Sequence, residues 1–181
     1  MSWLILIAAL FAAGIWVYNT LIHDRNQVLA AWSDIDVQLK RRHDLVPQLV
    51  AAVKAYADYE SATLGVITEL RTRSEQASHL PLKAAVEAEV ATAVTRLIAV
   101  AEAYPQLQAD RNFLQLQRDL VAIEDHIQYA RRFYNGAVRI FNTAIQSFPQ
   151  LLLARLLGFR PAEFFEVTDT RQREAVKVEL P

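Results

Sequence analysis

The sequence predicts an all-α protein: an N-terminal transmembrane helix followed by an elongated antiparallel bundle of long helices. Three observations predict it. Only four glycines and six prolines occur in 181 residues, which leaves few turns. Residues 3–22, WLILIAALFAAGIWVYNTLI, carry no charge. From Val28 onward, apolar side chains recur at alternating spacings of four and three, the period of a helix seam.

The first element is a membrane anchor over residues 1–22. Twenty apolar residues rise ~30 Å as a helix, the thickness of a bilayer's hydrocarbon core. Trp3, Trp16 and Tyr18 lie near its ends, where interfacial aromatics belong. No basic residue precedes the run and no small-x-small cleavage site follows it, so it reads as an uncleaved anchor rather than a signal peptide. Arg25, Lys40, Arg41 and Arg42 follow it, which by the positive-inside rule favours a cytoplasmic C-terminal domain.

Residues 23–167 are expected to form the helical domain. A first seam runs Val28, Trp32, Ile35, Leu39, Val46, Leu49, Val53, Tyr56, Ile67 and Leu70, with Arg42 and Glu60 as charged members. Pro47 removes one backbone bond, but the pattern resumes in phase, so a bend is expected rather than an end. On this reading helix one continues from His23 to Arg73, ~75 Å at 1.5 Å per residue, and turns first within residues 72–81. A second seam runs Leu82, Val86, Val90, Ala93, Leu97, Val100 and Tyr104, up to Pro105. The third runs Phe113, Leu116, Leu120, Ile123, Ile127, Ala130, Tyr134, Phe141 and Ile145, up to the SFP of residues 147–149. A short apolar helix, LLLARLL, is closed by Gly158. Three amphipathic helices joined by short turns must pack against one another to cover their seams.

Composition and spacing narrow the chemistry. The net charge is −1, so there is no basic field for nucleic acid. There is no cysteine, hence no disulfide, thiolate zinc site or cysteine nucleophile. The residues three before His23, His43, His79 and His126 are Thr20, Lys40, Gln76 and Ile123, so the Glu-x-x-His of di-iron bundles is missing. Phosphate loops, dinucleotide turns and Gly-x-Ser-x-Gly elbows are absent as well. No catalytic residue, cofactor or metal site is expected.

The charged run Lys40, Arg41, Arg42, His43 and Asp44 turns 100° per residue and so circles its helix. Arg42 falls on the buried side and needs an acid, for which the third helix offers Glu124 and Asp125. Glu60 in turn can answer Arg131 or Arg132. The run thus reads as an interhelical polar layer that sets register, built from Arg42, Glu60, Glu124 and Arg131. The alternative is a partner-docking patch of Lys40, Arg41 and His43. Lys40 lies 18 residues past Ile22, ~27 Å beyond the span, too far for lipid headgroups on an upright rod.

Near the C-terminus, GFRPAEFFEV holds Phe159, Phe164 and Phe165 in a turn-like stretch. They read either as a plug folded over the bundle end or as an aromatic docking motif. Residues 168–181 form a polar, mobile tail, whose Val176, Val178 and Leu180 alternate as a strand-adding segment would. Gly65 and Gly136, inside helical patterns, are expected at close helix crossings. Phe133, Tyr134, Phe141 and Phe148 are expected in core and end packing.

The chain resembles the LemA family. The resemblance lies in YNTLI with RNQV, in AWSDIDVQLKRRHDLVPQLV with VKAYADYE, in RRFYNGAVRIFNTAIQSFP and in LLGFRPAEFFEV, and so covers residues 18–167 except for a weaker middle, 70–110. It implies a bacterial single-span membrane protein with an elongated helical bundle and no agreed catalytic residues. A related branch holds a magnetosome-membrane protein, which suggests a scaffold role by analogy. The IHD of residues 22–24 stands where the family often has a more basic flank. The expectation is a membrane-anchored interaction or scaffold protein with an unknown protein partner or self-association. The alternatives are a regulator of a protease or envelope-stress system, and an enzyme whose site is invisible in sequence.

Overall fold

The computed structural model describes residues 1–55 and 61–166. Within them lie six helices and no strand: α1 Ser2–Lys54, α2 Ser61–Gln76, α3 Leu80–Ala101, α4 Pro105–Gln108, α5 Arg111–Gln146 and α6 Gln150–Leu156. The all-α expectation holds. α1 alone has 53 residues and runs through Pro47 without ending, which makes it ~80 Å long. One stretch of it is long and apolar enough to cross a membrane.

The first reversal is not where the seam placed it. Helix one does not continue to Arg73; it ends at Lys54, and α2 returns alongside it. Its return brings Glu75 back to the level of His43, 3.9 Å away. The physical reason is burial. Folded back, Ile67 and Leu70 join Val86 and Val90 of α3 in one apolar cluster; on a straight rod they would face water. A second reversal follows at residues 77–79, inside the predicted turn, and Pro81 occupies the first turn of α3. Phase is preserved across both arrangements, because Ile67 and Leu70 keep the same 4-3 spacing in a new helix.

α5 runs back down α1. Trp32 meets Tyr134 edge-on at 5.8 Å between ring centroids, and Arg42 meets Glu124 at 2.7 Å. Ten residues up one helix therefore match ten down the other, the register of an antiparallel pair. Asp110 caps α5, accepting from the backbone N–H of Asn112 at 2.7 Å and of Phe113 at 3.2 Å. At its far end α6 closes with a Schellman turn: Phe159 N–H reaches Ala154 O at 2.9 Å, and Gly158 takes φ +72°.

The core has two parts. One gathers Val17, Leu21, Val28, Ala31, Ile35 and Leu39 with the second half of α5. The other gathers Val46, Leu49 and Val53 with α2, α3 and the first half of α5. The border passes between Leu39 and Val46 on α1 and between Leu120 and Ile123 on α5. What lies at that border is polar.

Two local expectations fail. A Cβ added at Gly65 or Gly136 would meet nothing within 4 Å, so neither glycine marks a close crossing. Tyr134 and Phe141 are core, whereas Phe133 and Phe148 are exposed. The helical phase explains Phe133: it directly precedes Tyr134, 100° away from the buried stripe.

Candidate functional site

The border is built from seams that each carry a polar residue at the same level. On α1, Arg42 follows Ile35 and Leu39. On α2, Ser74 follows Ile67 and Leu70. On α3, Glu87 begins the buried series Val90, Val94, Leu97 and Ala101. Helical spacing thus delivers these side chains to one interior point. Glu87 is its centre. Its Oε2 accepts from Arg42 Nη2, and its Oε1 accepts from Ser74 Oγ and from His43 Nε2, the latter at 2.9 Å. Arg42 Nη2 also reaches the Glu87 backbone carbonyl at 3.1 Å, and Nη1 donates to Glu124 Oε2 at 2.7 Å. Gln128 steadies Glu124 from one turn on, at 3.0 Å.

Arg42 and Glu87 are 3% and 4% exposed, so the charges are out of water. Burial pushes the Glu87 carboxyl up, but His43, Arg42 and Ser74 together outweigh it and hold the group down at about 2. The cluster is closed rather than reactive. Ser74 is fully buried and gives its hydroxyl hydrogen to Glu87, and His43 spends Nε2 on the same oxygen, so the base faces the carboxylate and not the serine. No group of three metal-ligating side chains forms among the described residues.

The residues singled out in sequence fall in different places. Arg42 and Glu124 meet; Asp125, the other acid weighed, is exposed. Glu60 lies outside the described residues. Arg131 is not in the cluster, for its Nε donates to Phe165 O at 3.0 Å and its guanidinium covers the Phe165 ring at 5.7 Å. Of the docking patch, Lys40 and Arg41 are exposed. Lys40 pairs with Asp36 at 2.7 Å, which lowers the Asp36 carboxyl and raises the Lys40 ammonium from their ordinary values. His43 is buried in the ion cluster and presents no surface to a partner, because α2 and α3 fold over that side of α1.

Phe165 is 2% exposed and also belongs to the fold. It stands edge-on to Trp32 at 5.7 Å, while Phe159 meets Phe141 at 6.3 Å. Phe164 is half-buried against the same cluster. The three thus pack along the α1–α5 groove rather than forming a free aromatic motif. The tail with Val176, Val178 and Leu180 lies outside the described residues.

Sequence reasoning missed what holds that segment down. Asn142 donates to Ala162 O at 2.9 Å and accepts from Ala162 N–H at 2.8 Å. Asn135 does the same with Phe165, at 3.2 and 2.9 Å. Seven helical residues advance ~10.5 Å and three extended residues ~10 Å, so two asparagines seven apart fit a strap whose contacts are three apart. Tyr134 adds its hydroxyl to Glu163 O at 2.8 Å. Glu87 was missed too, although its 3-4 spacing from Val90 and Val94 was a usable signal.

Comparison with known proteins accords with this architecture. The chain is 26% identical to Magnetosome protein MamQ 2 of Paramagnetospirillum magneticum, over 88% of this chain and 68% of that protein. It is 26% identical to Protein LemA of Metamycoplasma hominis, over 90% of this chain and 74% of that one. Magnetosome protein MamQ of Magnetospirillum gryphiswaldense is 25% identical, over 82% and 64%. The sequence model of the LemA family matches residues 31–180, the stretch that carries the ion cluster and the asparagine strap. With its apolar first helix, this is a membrane-associated helical protein, and it belongs to the LemA family.

Proposed function

We propose that this chain is a membrane-anchored interaction protein, whose first helix is the anchor over residues 1–22 and whose bundle presents a docking face to another protein or to a second copy. The observation that supports this reading is on α5. Tyr129, Phe133 and Ile140 are exposed there and lie within ~40° of one another around the helix. Large apolar groups aligned outward on a helix are surface that a partner helix covers. Gly136 lies between them with open space at its Cα, which lets a neighbouring backbone approach. The polar cluster, by contrast, is spent on internal pairing. Kinship with proteins named for the magnetosome supports work at a membrane. Arg25, Lys40 and Arg41 beyond the anchor favour a cytoplasmic bundle.

A photo-cross-linking residue at Phe133 or at Ile140, with one at exposed Asp119 as control, tests this in living cells. Protein adducts are expected at the first two positions and not at the third. Adducts at none of them overturn the binding reading. Lys40→Glu and Arg41→Glu, run beside them, ask whether those two charges share in the same contact.

A further inference from the structure

The anchor and the bundle overlap in depth. Val17 and Leu21 are 5% and 0% exposed, packed in one cluster with Ile145 of α5 and Ala154 of α6. The part of α1 that stands alone is therefore residues 2–16, a rise of ~22 Å. A hydrocarbon core needs ~30 Å. The span must take in the levels of Val17 and Leu21, and whatever packs beside them there is at the bilayer boundary as well.

What packs there is α6, and its outer side is apolar. Phe148, Leu152, Leu156 and Leu157 are 79%, 62%, 79% and 50% exposed, while Ala154, half a turn away, is the buried contact. Trp16 and Tyr18, exposed at the same depth on α1, are interfacial side chains by type. Just beyond lies a cleft of ≈ 350 Å³ whose lining includes Arg25, Arg160, Leu157, Val28, Phe141 and Phe159. Arg25 is three residues past Ile22, ~4.5 Å above the span and within the headgroup layer. Among the described residues, no ion pair engages Arg25, Arg155 or Arg160.

We propose that the Phe148–α6 corner is a second membrane contact. Phe148, Leu152 and Leu156 enter the outer edge of the hydrocarbon, Leu157 lies at its border beside the cleft, and Arg25 and Arg160 bind the phosphates of anionic lipid headgroups above them. The occupant of this face is the same bilayer that holds α1. Apolar side chains below and arginines above match the layering of a lipid monolayer, and arginine reaches headgroups from a partly immersed stem. A corner fixed in the membrane also fixes the tilt and rotation of the bundle, and with them the direction in which the α5 stripe faces. The inference rests on the anchored reading, but the two fail separately.

The chain has no cysteine, so single fluorophores can be placed by Leu152→Cys, Leu156→Cys, Ile7→Cys and Gln106→Cys. The full-length protein is reconstituted in vesicles of phosphatidylcholine and phosphatidylglycerol carrying a lipid quencher at the top of the acyl chain or deep within it. Labels at 152 and 156 are expected to be quenched severalfold more than the label at 106, most by the shallow quencher, while the label at 7 responds to the deep one. If 152 and 156 behave like 106 while 7 is still quenched, the corner is not in the membrane and the proposal falls with the anchor intact. If 7 is not quenched either, the anchor falls too. Disulfide pairing between copies at 156, without quenching, assigns the face to a second copy and overturns the proposal. Leaving out phosphatidylglycerol, or introducing Arg25→Glu with Arg160→Glu, is expected to reduce quenching at 156; no change overturns the headgroup assignment.

Discussion

Arg42 on α1 and Glu87 on α3 form an ion pair that is almost wholly out of water, at the level where the apolar core divides in two. One carboxylate takes donors from two side chains of α1 and one of α2, and the guanidinium reaches across to Glu124 on α5. Four helices are thus referred to a single point, so a slide of any one of them leaves buried charge unpaired. Pairing of this sort contributes more to register than to net stability. Arg42 Nε is buried and has no hydrogen-bond partner among the described residues, so even here the polar groups are not fully satisfied by them.

Glu87→Gln is expected to destabilise the protein by about 3 kcal/mol, the lower end for breaking a buried pair, because Glu124 still faces Arg42. Arg42→Met combined with Glu87→Met is expected to recover part of that loss, since no uncompensated guanidinium remains. Denaturation of the full chain in detergent, followed by circular dichroism, measures both. A Glu87→Gln variant as stable as the parent would show that the pair carries no structural weight.

The same carboxylate makes stability depend on acid. Its folded value of about 2 lies below the ordinary 4.5, so protons bind the unfolded chain first. The stabilisation is complete above about pH 4.5 and is lost as pH falls towards 2, with a full span of about 3 kcal/mol. Glu87→Gln is expected to flatten this part of the profile. Equal acid slopes in parent and variant would assign the acid transition to other groups.

The helix-one seam was legible because burial follows phase: Val28, Ile35, Leu39, Val46, Leu49 and Val53 are all core. A charged residue on that seam is legible for the same reason, and the spacing alone pairs Arg42 with an acid of the third helix. The end of α1 was not legible. Tyr56 and Glu60 continue the spacing with no glycine or proline between, and only the tertiary gain of covering Ile67 and Leu70 favours a reversal. Glu87 escaped because the second seam was set on Leu82 and Tyr104, which tilts the buried face off the charged residue. The roles of Asn135 and Asn142 left no trace, because their partners are backbone groups, which every residue has.

Those two asparagines give the next prediction. Asn135→Ala removes one donor and one acceptor from a paired, half-buried backbone, at a cost of about 2 kcal/mol. The loss is expected to be local. Amide exchange in residues 159–166 should quicken and Phe165 should leave Trp32, while α1 and α5 keep their protection. Asn135→Asp should be no better, since a carboxylate accepts from Phe165 N–H but repels Phe165 O. Unchanged exchange at residues 159–166 would mean that Phe165 packing alone holds the strap.

Gly136 supplies a prediction in the opposite direction. It sits inside α5 with ordinary helical backbone, and an added Cβ meets nothing within 4 Å. Gly136→Ala is therefore expected to stabilise the isolated chain by about 1 kcal/mol, the helix-propensity difference, and to raise Tm by about 2–4 °C. The same methyl projects among Tyr129, Phe133 and Ile140. If a helix from another molecule packs there, it meets the methyl at close range, and cross-linking at Phe133 should fall as Tm rises. Melting in detergent and cross-linking in cells read the two effects apart. A lower Tm would show that the glycine serves α5 itself, and a higher Tm with undiminished cross-linking would show that the partner passes to one side of it.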